Sequence, residues 1–145
     1  MGFLATDVNI LSTTGPTVLI PTSKDQDCKL VQVTRADTAA TVKAVLPADA
    51  SVIGVKFFGS TASNASLTAT VTLTLANNTG TISTGTVDVI ANGATTAEVQ
   101  MSALPNLENI PSLLTGDIKF SATYAETGIA STAGGPWYVL ITYVR

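Results

Sequence analysis

From Leu67 to Leu75 the chain alternates apolar and hydroxyl residues without a break, as Leu67-Thr68-Ala69-Thr70-Val71-Thr72-Leu73-Thr74-Leu75. A period of two is the mark of a strand with one buried face. It sends Leu67, Ala69, Val71, Leu73 and Leu75 to one side and four threonines to the other. Ile118–Tyr124 alternates in the same way, with Ile118, Phe120, Ala122 and Tyr124 predicted inward. Trp137-Tyr138-Val139-Leu140-Ile141-Thr142-Tyr143-Val144 is apolar on both faces, which predicts a central strand or one covered by another chain. Shorter candidates are Thr17–Ile20, Cys28–Thr34, Thr41–Val45, Val52–Phe58, Thr86–Ile90 and Ala97–Met101.

Turn residues separate these runs: Thr14-Gly15-Pro16, Asn77-Asn78-Thr79-Gly80, Asn92-Gly93, Thr115-Gly116-Asp117 and Gly134-Gly135-Pro136. No stretch carries a sustained helical stripe. Leu104–Leu114 comes closest, but Pro105 and Pro111 reduce it to a loop with one helical turn at most. Eight or nine short strands predict an all-β chain, a sandwich or barrel, of which a single antiparallel β-sandwich is the expectation. Residues 24–145 form that domain in this reading. Residues 1–23 differ in kind: one charge, two prolines, and the apolar pairs Phe3-Leu4 and Ile10-Leu11. They are expected to be a first strand or an extended N-terminal arm lying on a neighbouring molecule. Gly59–Ser66 is small and polar, and is expected to be an exposed loop.

Composition narrows the function. Charged residues make up 12% of the 145, while Thr, Ala and Ser number 24, 19 and 11, so the polar surface is hydroxyl rather than ionic. The net charge is −3, and Lys24, Lys29, Arg35, Lys43, Lys56, Lys119 and Arg145 are scattered singly. Binding to nucleic acid needs clustered cations, so none is expected. No run of 18 apolar residues exists, so no membrane partner is expected. The first residues lack a secretory pattern. Gly2–Thr6 fits the myristoylation pattern, but no polybasic segment supplies a second anchor.

The absence of histidine removes the commonest general base and metal ligand, and no nucleophile motif or phosphate loop is present. Asp25-Gln26-Asp27 lacks the frame of a calcium loop and is expected to be a solvated turn. Asp88, Glu98, Glu108, Asp117 and Glu126 show no spacing that pairs two acids across a cleft. Cys28, the sole cysteine, is expected to be a small core residue at a strand start. Neither an enzyme, nor a cofactor, nor a metal is expected. Trp137, Tyr138 and Tyr143 lie close enough in sequence to build a sugar-stacking platform, but Trp137 and Tyr143 share one parity of the strand, which argues for core packing.

The closing segment Thr132-Ala133-Gly134-Gly135-Pro136-Trp137-Tyr138-Val139-Leu140-Ile141-Thr142-Tyr143-Val144-Arg145 resembles the last strand of small tailed-bacteriophage virion proteins, with a G-G-P turn leading into an aromatic strand ending in Y-V-R. In length and pattern the whole chain resembles the capsid decoration, or cement, proteins of such phages. The resemblance implies a jelly-roll-like sandwich, often trimeric, on the outer surface of the virion after synthesis in the host cytoplasm. Its partners would be the major capsid protein and copies of itself. No catalytic residue is carried over. The surplus apolar residues Phe3, Leu4, Ile10, Leu11, Leu113, Leu114, Tyr138, Leu140 and Val144 are then the candidate contacts with the capsid or with neighbouring copies. The alternative is a carbohydrate- or receptor-binding module of a phage fibre or adhesin, which requires an exposed Trp137; a two-acid hydrolase ranks below both.

Overall fold

Among the described residues the alternating segments form eight strands, and their inward residues meet in one core. A computed structural model describes residues 26–102 and 116–144. In chain order the strands are β1 (Gln26–Val33), β2 (Thr41–Leu46), β3 (Ser51–Gly59), β4 (Thr68–Asn77), β5 (Gly80–Asp88), β6 (Thr96–Glu98), β7 (Ile118–Thr127) and β8 (Trp137–Val144). They build two four-stranded sheets, ordered β1-β8-β3-β6 and β2-β7-β4-β5. Every pairing is antiparallel. Apart from the β4–β5 hairpin, each connection crosses from one sheet to the other, and this order is that of a jelly roll. The expected strand Thr17–Ile20, Thr14-Gly15-Pro16, the arm and Leu104–Leu114 lie outside the described residues.

The core follows from parity. Val33, Phe57, Trp137, Val139 and Ile141 point inward from the first sheet, and Val71, Leu73, Leu75, Ile118, Phe120 and Ala122 meet them from the second; all are almost wholly buried. Such side chains contribute about 1.5–3 kcal/mol each when removed from water. Trp137 and Tyr124 stack across the two sheets, with ring centroids 5.5 Å apart. The last strand, apolar on both faces, is central as its pattern requires, between β1 and β3.

Several expectations need correction. Leu67 shares the parity of the inward residues but precedes β4 and is 69% exposed. Cys28 is exposed rather than in the core, because its register with Thr142 and Gly54 puts it on the outer face, opposite in parity to the inward Val31 and Val33. Gln26 and Asp27 belong to that strand and not to a turn before it. Gly59–Ser66 is not simply an exposed loop, since Ser63 and Ala65 are buried beneath neighbouring loops. The strand expected at Thr86–Ile90 begins earlier, at Gly80. Its hidden inward positions are Ser83 and Gly85, too small to register as an apolar alternation. Gly85 is small for a reason: a Cβ there would lie 2.6 Å from Met101 Sδ and 2.9 Å from Val99 Cγ1. Ala97–Met101 shrinks to the three residues of β6. Beyond it, Val99 donates its N–H to the Val55 carbonyl and Ser102 to that of Thr84, tying the segment to both sheets.

Candidate functional site

The antiparallel register sets side chains in rows across each outer face, because directly paired residues share a side. On the β1-β8-β3-β6 sheet the rows are Gln32, Tyr138, Phe58 and Thr96; then Leu30, Leu140, Lys56 and Glu98; then Cys28, Thr142 and Gly54; then Gln26, Val144 and Ser51. Tyr138, Leu140 and Val144 thus lie on one outward stripe of the central strand, half-buried by their neighbours. Phe58 and Tyr138 stack with centroids 6.1 Å apart at 26°. The Gln32 amide donates to the Tyr138 hydroxyl at 3.1 Å, leaving the ring on the face. Leu30 is 59% exposed, and Ile53, extruded where the β3 register shifts, is 52% exposed. Among the described residues the charges in this field are Lys56 and Glu98, which are paired in register.

The opposite outer face is chemically different. Its rows are Val45, Lys119, Ala76 and Thr81; then Val42, Ser121, Thr74 and Thr84; then Thr123, Thr72 and Thr86; then Ala125, Thr70 and Asp88; then Thr127 and Thr68. The Thr68 and Thr127 hydroxyls lie 2.7 Å apart. Apart from Val42 and Val45 on its β2 edge, this face is a hydroxyl array, whereas the first is aromatic and aliphatic. Leu73 and Thr72 show how one alternating strand supplies both the core and a water-compatible surface.

At one end of the sandwich, polar groups pin the connecting loops. The Tyr124 hydroxyl lies 3.1 Å from Ser63 Oγ, 3.1 Å from Ser131 Oγ and 3.1 Å from Glu126 Oε1. Ser131 donates its N–H to Glu126 at 2.7 Å, and this bond holds the Glu126 carboxyl below the usual carboxylate range. Arg35 donates to the carbonyls of Ser131 and Gly134, and the Trp137 indole N–H to those of Thr61 and Gly93. Asn64 accepts the N–H groups of Thr132 and Ala133. The Gly135-Pro136 peptide in this cluster is cis. Nearby, partial burial acts to raise the Asp37 carboxyl, but Lys43 at 2.8 Å and the Thr34 N–H outweigh it and hold the group low. These bonds fasten loop to loop, and the serine hydroxyls are committed to them.

Of the acids weighed for two-acid chemistry, Glu108 lies outside the described residues and the other four are dispersed. Glu98 is on the first outer face and Asp88 on the second, while Glu126 belongs to the loop cluster and Asp117 precedes β7. Asp27 accepts the Cys28 N–H and the Tyr143 hydroxyl. Among the described residues no group of three or more His, Cys, Asp or Glu is placed to hold a metal ion. Trp137, the ring on which a sugar platform would centre, is fully buried.

Of the candidate contacts, the structure gathers Tyr138, Leu140 and Val144 on one face. Phe3, Leu4, Ile10, Leu11, Leu113 and Leu114 lie outside the described residues. It adds Phe58, Leu30 and Ile53, which strand alternation alone does not single out. Phe57-Phe58 carries a usable signal, since adjacent strand residues cannot both face inward. Leu30-Val31 carries the same one.

No protein-family model matches the chain, and no curated protein matches it. Among solved structures, a chain of the cyanophage Pam1 capsid asymmetric unit is similar over 97% of this chain and 97% of its own, at 17% identity and a TM-score of 0.48.

Proposed function

We propose that this protein is a structural component of a phage virion, a decoration or cement protein that binds the outer surface of the capsid shell and stabilises it without catalysis. The observation that carries the reading is the outer face of the β1-β8-β3-β6 sheet. Phe58, Tyr138, Leu30, Leu140, Val144 and Ile53 gather there with no layer of the described chain above them. Apolar and aromatic side chains with few charges are the composition of an interface centre, where Lys and Glu are depleted. Water tolerates such residues singly, while a contiguous group marks a contact with protein. The hydroxyl array on the opposite face suits solvent.

The partners in this reading are the major capsid protein and further copies of the chain. A closed trimer would suit the threefold positions of a shell. The apolar pairs of the arm, Phe3-Leu4 and Ile10-Leu11, supply a second contact to a neighbouring subunit. The test is decoration of undecorated shells assembled from the major capsid protein of the same phage. Wild-type protein should co-sediment with them to saturation. A variant lacking residues 2–12 should lose shell binding or oligomerisation while keeping its β-type circular dichroism. Full occupancy by the truncated protein would refute the role of the arm, and failure of the wild type to sediment would refute the function.

A further inference from the structure

β5 leads through Val89–Thr95 to β6, and this loop carries Asn92-Gly93, whose asparagine is exposed and whose glycine is buried. The main chain of the loop is tied at several points. Asp88 accepts the N–H groups of Ile90, Ala91 and Asn92, and the Asn92 carbonyl accepts the Thr95 N–H and hydroxyl. The Gly93 carbonyl accepts the Trp137 indole N–H at 3.0 Å. Gly93 has no room for a side chain, since a Cβ would clash with the Val89 carbonyl oxygen and lie 2.8 Å from Ala62 Cα. The fold therefore requires glycine at 93. It makes no use of the carboxamide at 92, which bonds to no group among the described residues. The Gly93 N–H also donates to no group among them, although buried N–H groups are nearly always paired.

We infer that Asn92-Gly93 is a site of spontaneous modification, where the chain converts its own asparagine to aspartate and isoaspartate with water as the co-reactant. The Gly93 nitrogen attacks Asn92 Cγ and forms a C–N bond. The Cγ–Nδ2 bond breaks, and the amide leaves as ammonia with the proton of the Gly93 N–H. Water then opens the cyclic imide, its hydroxyl going to one carbonyl carbon and its proton to the Gly93 nitrogen. Opening at Cγ leaves aspartate at 92. Opening at the main-chain carbonyl leaves isoaspartate, with the backbone running through the former side chain. Glycine favours the attack because no Cβ crowds the nitrogen.

The other asparagines lack this combination. Asn64 Oδ1 accepts the N–H groups of Thr132 and Ala133, and its Nδ2 donates to the Thr132 hydroxyl. The nitrogen placed to attack it, that of Ala65, donates to Ser63 Oγ. Asn77 Oδ1 accepts the N–H and the hydroxyl of Thr79. The first of those bonds also occupies the Thr79 nitrogen, the attacking group for Asn78. Asn9, Asn106 and Asn109 lie outside the described residues and precede the bulky Ile10, Leu107 and Ile110. Each hydrogen bond that must open lowers the reactive population about fivefold, so Asn64 should convert about a hundredfold more slowly than Asn92. Conversion makes the net charge of −3 one unit more negative. The loop carrying that charge enters β6 at Thr96, opposite Phe58 on the outer face. An effect of the charge on shell contact rests on the virion reading, whereas the conversion stands without it.

The test incubates full-length wild-type protein in mildly alkaline buffer, native and in urea, and maps the products by proteolysis and fragment mass. In the native protein position 92 should convert first, giving aspartate and isoaspartate peptides. Its rate should lie within about tenfold of that in the urea-unfolded chain, because an exposed loop needs no global opening. Asn92→Gln removes a carboxamide bonded to no described group, and its longer side chain disfavours the cyclic imide. With native Trp137 emission, it should lose the acidic species. Protection of position 92 by about a hundredfold or more in the native protein would overturn the assignment. Earlier conversion at Asn64, Asn77 or Asn78, or an undiminished acidic species in Asn92→Gln, would overturn it too. No shell enters the experiment, so its failure is distinct from failure of the virion reading.

Discussion

Replacing Tyr124 by Phe removes one oxygen from the centre of the loop cluster and leaves the ring that stacks on Trp137. The hydroxyl lies 3.1 Å from Ser63 Oγ and 3.1 Å from Ser131 Oγ. Each such hydrogen bond contributes about 1 kcal/mol net, and a buried group left without any partner costs about 1–3 kcal/mol more. That second cost is largely avoided here. Ser63 Oγ keeps the Ala65 N–H at 3.3 Å, and Ser131 Oγ keeps Glu126 Oε2 at 3.2 Å. Two serine bonds lost with both serines still partnered gives about 2 kcal/mol, while the hydroxyl's third partner at 3.1 Å, the Glu126 carboxylate, is open to water and turns to solvent instead. With a urea slope of about 1.5 kcal/mol/M, the midpoint should fall by about 1.3 M. Emission of Trp137, the only tryptophan, follows the transition directly. Tyr138→Phe is the control: among the described residues its hydroxyl bonds to exposed Gln32 on the outer face, and its cost should stay below about 0.5 kcal/mol. A midpoint shift for Tyr124→Phe under about 0.3 M at unchanged slope would refute the claim that this hydroxyl ties the loops together.

Gly93→Ala should destabilise the chain by about 1–3 kcal/mol in the same titration. The new Cβ would clash with the Val89 carbonyl oxygen and lie 2.8 Å from Ala62 Cα and 3.0 Å from the Trp137 indole nitrogen. Stability should also fall in acid. Glu126 and Asp37 both have carboxyls held below their ordinary range. Their contribution is therefore present above the unfolded-state values and is lost as pH falls through the lower folded-state ones, from about pH 5 downward. Urea midpoints measured across that window should flatten in Glu126→Gln, and an unchanged slope with pH would contradict the assignment. Leu73→Ala, in the fully buried centre of β4, should cost about 2–5 kcal/mol, against less than about 0.5 kcal/mol for Thr72→Ala beside it.

The contrast between Leu73 and Thr72 also shows what is legible in the sequence. Where inward residues are large, as in β4, β7 and β8, parity alone gives the buried face and the placement of Trp137 and Tyr143. It fails where small residues face inward for packing reasons, as at Ser83 and Gly85 beneath Met101. It also fails where position in the sheet decides exposure. Asp27 and Lys29 share the parity of the buried Val31 and Val33 yet are exposed, because β1 lies at the edge of its sheet, a position fixed by contacts distant in sequence. The loop cluster is illegible for the same reason, since it joins Arg35, Ser63, Tyr124 and Ser131 from separate loops and strands. The outward stripe of Tyr138, Leu140 and Val144 is legible, because a strand apolar on both sides must place one apolar face outside its own core.

The two outer faces are assigned different roles, so the most direct measurement compares one charge placed on each. Leu140→Asp sits at the middle of the aromatic and aliphatic face, and Thr72→Asp at the middle of the hydroxyl array. Both variants would be titrated against undecorated shells, with bound protein read by co-sedimentation after native Trp137 emission confirms folding. Leu140→Asp should lose occupancy while Thr72→Asp saturates as the wild type does. Full occupancy by Leu140→Asp, or loss confined to Thr72→Asp, would contradict the assignment.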